Sequence, residues 1–97
     1  MAQVIWTATA LADLREIVEY IARRSPLNAE RLRLRLVEAP RRLEQFPEIG
    51  SRVPELGEPE HVREIYVKPF RIPYLIRGET CYVAQPNPRK SRAQSLA

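Results

Sequence analysis

Apolar residues in the first half of the chain recur with the period of amphipathic helices. The short run 3–6 is β-branched and aromatic and predicts an opening strand. After it, apolar positions recur every three or four residues over 8–24, as on one face of a helix. Thr7 or Thr9 precedes this helix as an N-cap. The apolar stripe consists of Ala10, Leu14, Ile17 and Ile21, widened by Leu11 and Val18.

A second helix is predicted over 26–46. Ser25 supplies an N-cap, and Pro26 suits the first helical position, where its missing N–H is not needed. Leucines alternate like a strand over a short window, but the longer window keeps helical spacing. Pro40 should kink this helix or end its first segment, because proline removes a backbone hydrogen bond. The stripe is Ala29, Leu32, Leu36, Ala39, Leu43 and Phe46.

Two antiparallel strand pairings are predicted after a connecting loop, rich in proline and glycine, over 46–61. Lys68-Pro69 joins the first pair, where proline fits the favoured turns poorly and a bulge would be compatible. Gly78-Glu79 joins the next pair with glycine first, as in a type II′ turn. The two registers agree and place one set of side chains toward the helices: Ile65, Val67, Phe70, Ile72, Tyr74, Ile76, Cys81 and Val83.

These elements predict an α+β fold. An N-terminal strand precedes an antiparallel two-helix hairpin that packs on a small antiparallel sheet, in the order β-α-α-β-β-β. The last strand should be truncated near Ala84 or Gln85, because Pro86 and Pro88 cannot donate to a strand ladder. Residues 1–85 then form one domain, and residues 86–97 form a polar, basic and mobile tail.

Composition and charge narrow the class of function. With one cysteine and one histidine, a metal site built from nitrogen and sulfur ligands is not expected. No cofactor is expected either. No apolar run approaches the ~20 residues of a membrane span and no signal-peptide pattern is present, so we expect a cytoplasmic protein without a membrane partner. Residues 61–97 carry seven basic side chains against two acidic ones, whereas residues 1–60 carry nine against ten. This asymmetry suits either an anionic partner or a solvated basic tail.

Three stretches of the chain resemble, in order and spacing, the RelE/ParE superfamily of toxins from type II toxin–antitoxin systems. The first strand and helix pair of that family resemble "IWTATALADLREIVEYIARRSPLNAERL". Its Leu-x-x-Phe-Pro-x-x-Gly connection resembles "LEQFPEIGSRVPEL", and its Arg-Glu … Arg-Ile-x-Tyr hairpin resembles "VREIYVKPFRIPYLI". The resemblance covers about residues 3–84 and is closer to the ParE branch than to the RelE branch.

The resemblance implies a cognate antitoxin as partner and leaves three activities open. ParE-like toxins inhibit growth by binding DNA gyrase, and RelE-like toxins cut mRNA on the ribosome. An inactive relative would bind an antitoxin and harm nothing. The C-terminal tail differs from the usual C-terminus of the family, which makes ribonuclease activity less expected. We therefore favour a ParE-like gyrase inhibitor, neutralised by an antitoxin in a hetero-oligomer.

The resemblance also points to candidate residues on the predicted hairpin. Arg71 matches the family arginine there and either contacts the target or solubilises the strand. Arg63 matches the arginine that opens the preceding strand, but it has core-side parity and is expected at a rim or paired. His61 is expected to be an exposed loop residue, and no catalytic residue is assigned. The predicted target-binding set is Arg71, Arg63, Lys68, Tyr66 and Tyr82, in which the tyrosines either stack a base or pack across strands.

Overall fold

The architecture is a two-helix hairpin on one face of a mixed sheet. A computed structural model describes residues 1–53 and 61–88. Its order of elements confirms the predicted α+β fold class, and no helix in these two ranges has the length and apolar character to cross a membrane. The elements are β1 (Gln3–Trp6), α1 (Ala8–Ala22), α2 (Pro26–Arg41), a 3₁₀ turn (Arg42–Glu44), β2 (Ser51–Arg52), β3 (Val62–Val67), β4 (Phe70–Arg77), β5 (Thr80–Val83) and β6 (Asn87–Pro88).

The sheet has the strand order β1-β5-β4-β3-β2. The three central strands are antiparallel in the predicted registers, so that Ile65 faces Ile72 and Tyr74 faces Val83. β1 lies at one edge and runs parallel to β5, a position that the sequence left open. β2 covers the first residues of β3 at the other edge, inside the stretch that was predicted as a connecting loop.

Both predicted turns close their hairpins. Gly78 has a φ of +58°, whereas the φ of Glu79 is not positive. A positive φ at the first turn residue alone is the pattern of a type II′ turn. The Lys68–Pro69 peptide bond is cis, and pairing continues to the last residues of the hairpin without a bulge.

The last strand is interrupted between Val83 and Asn87. β5 ends at Val83, close to the predicted stop, and the Ala84 N–H donates to the Pro73 carbonyl. The register of β4 and β5, if it continued, would place Pro86 opposite Arg71. Asn87 pairs with Arg71 instead, so the pairing is shifted by one residue. The extra residue is a bulge, and it removes Pro86 from the position where it would have to donate. This resumed pairing was not predicted, and residues 89–97 of the predicted tail lie outside the described residues.

The helices begin at their predicted caps, and α2 ends one residue after Pro40, where a kink or the end of a first segment was predicted, instead of continuing to residue 46. Thr7 Oγ1 accepts the N–H of Ala10, and Ser25 Oγ accepts that of Asn28. α2 ends at Arg41 because Pro40 weakens its last turn, and the chain tightens into the 3₁₀ turn.

This early end of α2 changes the direction of the side chains that follow. Leu43 is buried as predicted, whereas Phe46 is 58% exposed. The predicted place of Phe46 on the helical stripe is therefore wrong.

The core lies between the helix pair and the near face of the sheet. The predicted Ile17 and Ile21 flank it and are partly buried. The main cluster contains Leu14, Leu32, Leu36, Val67, Phe70, Ile72 and Val83, and a second cluster contains Leu43, Tyr74 and Cys81.

Candidate binding surface

The face of the sheet turned away from the helices is called the outer face. Side chains alternate along a strand, so the neighbours of the buried Ile72 and Tyr74 point to this face. Four of the five candidate residues have this parity. The outer face carries Glu64, Tyr66, Arg71, Pro73, Leu75, Arg77 and Tyr82, with Lys68 at the hairpin tip.

Arg71 forms an ion pair on the outer face. Its Nη1 donates to Oε1 of Glu64 at 2.5 Å, and the side chains are 29% and 8% exposed. The pair runs diagonally across β3 and β4, because Arg71 faces Tyr66 while Glu64 faces Pro73. A carboxylate so far from water needs a charged or hydrogen-bonding partner. Arg71 therefore has a structural contact that neither sequence interpretation of it included.

Tyr66 and Lys68 lie beside Arg71 and are open to solvent. Tyr66 is 51% exposed, and Lys68 is exposed in the turn after β3. Tyr82 is half-buried and faces Leu75, four residues along β4 from Arg71. The structure thus brings Arg71, Tyr66 and Lys68 together and places Tyr82 farther along the same face.

Arg63 points to the other side and holds the segment before β2. Its Nη1 donates to the carbonyls of Glu48 at 3.2 Å and Gly50 at 2.9 Å. This agrees with the expectation of a paired arginine and separates Arg63 from Arg71. The predicted set therefore does not form one cluster.

The Tyr74 hydroxyl also forms hydrogen bonds with the segment before β2. It donates to the Pro47 carbonyl at 2.7 Å and accepts the Gly50 N–H at 2.9 Å. A Cβ on Gly50 would lie 2.6 Å from the Tyr74 ring, so this close approach requires glycine. Burial raises the pKa of the Tyr74 hydroxyl, which keeps it protonated as a donor.

A groove of about 870 Å³ opens between β3 and the chain that follows α2. Phe46 and Ile49 line it and are 58% and 54% exposed, and Tyr66 lies at its border with the outer face. Sequence reasoning missed this groove because it assigned Phe46 to the helical stripe and gave no structure to the connection. The sequence did contain an indication of this groove, because Phe46 and Ile49 are large apolar residues within a stretch rich in proline and glycine.

Other reactive side chains do not gather at this surface. His61 is exposed in the turn directly before β3, as predicted, and Cys81 is buried in the core, where burial raises the pKa of its thiol. Within residues 1–53 and 61–88, no group of three His, Cys, Asp or Glu side chains could hold a metal ion. The described surface is therefore one of cations, aromatic rings and apolar side chains.

Comparison with known families shows the class of protein to which this fold and surface belong. Residues 4–85 match the family described as ParE toxin of type II toxin–antitoxin system, parDE. The chain therefore belongs to the ParE toxin family, which confirms the resemblance seen in the sequence.

Two relatives are similar over most of the chain. Toxin RelE2 of Caulobacter vibrioides is 46% identical over 77 residues, which are 79% of this chain and 78% of that protein. The solved structure titled "Chromosomal ParDE TA system from P. aeruginosa" superposes with a TM-score of 0.76 at 26% identity. That superposition covers 93% of this chain and 98% of the other.

Proposed function

We propose that this toxin inhibits growth by binding DNA gyrase through its outer face, and that a cognate antitoxin prevents this binding. The observation that carries the proposal is the arrangement of Arg71, Tyr66 and Lys68 on that face. Arg71 is held by Glu64, so its position is preorganised, while Tyr66 and Lys68 remain exposed. Preorganised arginine and tyrosine side chains are typical anchors of protein interfaces.

The charge of the outer face favours binding a protein over cutting RNA. Cleavage needs cations beside the scissile phosphate and a proton-transfer group within hydrogen-bond reach. Here Glu64 compensates the charge of Arg71, and at 8% exposure its carboxylate is too buried to reach a substrate. The exposed side chains of this face include Tyr66, Lys68 at the hairpin tip and Arg77 at the far end of β4, and such a mixture of cations and an aromatic ring suits a folded protein surface.

The proposal is tested with purified toxin in a gyrase supercoiling assay and a ribosome-dependent mRNA cleavage assay. We expect inhibition of supercoiling, weakened about 10-fold or more by Tyr66→Ala or Lys68→Ala. Lys68→Ala, at an exposed turn position, should change the free energy of unfolding by less than about 0.5 kcal/mol. Arg24→Ala, an exposed arginine after α1, is the matched control and should inhibit like the wild type.

A second candidate is a RelE-like, ribosome-dependent mRNA endonuclease. It is supported by the name of the 46% identical relative, Toxin RelE2. Cleavage of mRNA with supercoiling unaffected would select this candidate and reject gyrase as the target. A toxin inert in both assays that still binds its antitoxin would be the inactive relative.

A further inference from the structure

We propose that Arg35 is a positioning residue of the target-binding surface, which acts by holding the hairpin tip that carries Lys68. The proposal rests on the proposed function, since it takes the outer face and this tip as the surface that binds gyrase. Arg35 Nη2 donates to the Lys68 carbonyl at 2.5 Å, and the two residues are 33 positions apart in the chain. The bond therefore joins α2 to the turn between β3 and β4.

The Lys68 carbonyl takes its donor from outside the hairpin. Lys68 and Pro69 are the two turn residues, and the strand pairing ends with Val67 opposite Phe70. Proline has no N–H to donate, so the turn has one donor fewer than other two-residue turns. A hydrogen bond from a guanidinium is charge-assisted and stronger than one between neutral groups. Arg35 thus fixes a part of the hairpin that the strand ladder does not reach.

Both ends of this bond are attached to the core. On α2, Leu32 and Leu36 lie before and after Arg35 in the sequence and are buried. Val67 and Phe70 precede and follow the turn, and each is 8% exposed. These four apolar residues belong to the main core cluster, whereas the two turn residues are exposed. Packing therefore fixes the helix and the strand ends, and the Arg35 bond ties the exposed turn to them.

The bond also affects the direction in which the Lys68 side chain extends. The Arg35 guanidinium and the Lys68 ammonium are both cations, so conformations that bring the ammonium over α2 are disfavoured. The charge of Arg71 on the outer face is compensated by Glu64 and repels the ammonium less. Lys68 is therefore directed toward the outer face on a fixed backbone, and it loses less conformational entropy when it binds a target.

The test uses the full chain, purified, in the gyrase supercoiling assay. Arg35→Met keeps an unbranched side chain and a good helix former but removes the donor and the charge. We expect it to inhibit about 3- to 10-fold more weakly than the wild type, with little change in melting temperature. Arg35→Lys restores a charged donor and should recover part of this loss. Arg31→Met changes an exposed arginine one turn earlier on α2 and is the matched control, which should inhibit like the wild type.

A double variant separates positioning from direct contact with the target. In Lys68→Ala the backbone carbonyl remains, but the side chain that Arg35 positions is gone. Adding Arg35→Met to Lys68→Ala should therefore weaken inhibition by less than about twofold. Additive losses would show that Arg35 contacts the target itself, and would overturn the positioning role.

Nuclear magnetic resonance measures the bond in the absence of any target. The chemical shift of the Lys68 carbonyl carbon should change in Arg35→Met, and relaxation of the Lys68 amide should show faster internal motion. Arg31→Met should leave both as in the wild type. A carbonyl shift that is the same in Arg35→Met and the wild type would overturn the bond on which the role depends.

The outcomes separate this inference from the proposed function. A wild type that leaves supercoiling unaffected would overturn the proposed function and this role with it. Inhibition by the wild type and by Arg35→Met at equal concentrations would overturn the positioning role alone. Unfolding of both Arg35→Met and Arg35→Lys at the assay temperature would assign Arg35 to stability and would also overturn that role.

Discussion

The two faces of the sheet bury side chains by different means. On the core face, Ile72 is buried against the helices and Tyr74 against Leu43 of the 3₁₀ turn, and their packing depends mainly on apolar contact. On the outer face the same strands bury Glu64, which is stable there because Arg71 compensates its charge. Apolar burial is shared among many neighbours, whereas the burial of a carboxylate depends on few groups. Substitutions on the core face should therefore destabilise the protein in proportion to the side-chain volume that they remove. On the outer face the loss of stability should depend on which member of the Glu64–Arg71 pair is removed.

The largest effect is expected from truncating the core face. Leu36→Ala and Ile72→Ala each remove a fully buried side chain and should lower the free energy of unfolding by about 2–4 kcal/mol. Urea unfolding followed by circular dichroism measures this. Leu27→Ala, on an exposed leucine, is the control and should change it by less than about 0.5 kcal/mol. Unchanged unfolding curves for both core variants would show that the core lies elsewhere.

Breaking the ion pair of the outer face should cost less. Arg71→Ala leaves the Glu64 carboxylate buried without this partner and should lower stability by about 1–3 kcal/mol. In a Glu64→Gln background the same change should cost clearly less, because no buried charge remains. Arg33→Ala breaks an exposed ion pair with Glu30 of 2.6 Å and should cost much less than Arg71→Ala, because solvent screens exposed charges. Equal losses for Arg71→Ala and Arg33→Ala would mean that burial adds nothing to the Glu64–Arg71 pair.

Tyr74 combines apolar burial with polar pairing. Its ring lies in the core, and its hydroxyl forms hydrogen bonds with the segment before β2. Tyr74→Phe keeps the ring but leaves the Pro47 carbonyl and the Gly50 N–H without this partner, and should cost about 1–2 kcal/mol. Tyr20→Phe is the control, since Tyr20 is 66% exposed. Hydrogen exchange at the Gly50 amide should accelerate in Tyr74→Phe alone, and an unchanged rate would contradict the assigned bond.

The smallest effect is the pH dependence that Tyr74 contributes. Burial raises its pKa in the folded chain, the hydrogen bond from the Gly50 N–H and the charge of Arg63 oppose the increase, and Cys81 and Glu48 add to it. A raised folded pKa means that this stabilisation is fully present below the unfolded value of about 10 and is lost as pH rises through the folded value. The free energy of unfolding should therefore fall more steeply above pH ~10 in the wild type than in Tyr74→Phe. Parallel curves for the two proteins would show that Tyr74 does not titrate differently on folding.

Local patterns in the sequence determined most of the fold. Helical spacing and the caps Thr7 and Ser25 located both helices, and the turns at Lys68-Pro69 and Gly78-Glu79 set the registers of the central strands. These features depend on residues close together in the chain, so a sequence window contains the relevant information. Alternation also assigned each hairpin residue to a face, including the separation of Arg63 from Arg71.

Only the tertiary structure decided which polar groups pair and which apolar groups remain exposed. The bonds from Arg63 and Tyr74 to the segment before β2 and the parallel place of β1 join residues distant in sequence. Glu64 and Arg71 lie only seven residues apart in one hairpin, but their pairing runs diagonally between strands and depends on side-chain conformations that alternation does not give. Phe46 has the spacing of a core residue, but the end of α2 at Arg41 turns it into the groove. Periodicity reports the direction of a side chain only while the helix continues, and burial of a charge depends on a partner that only the folded chain brings near.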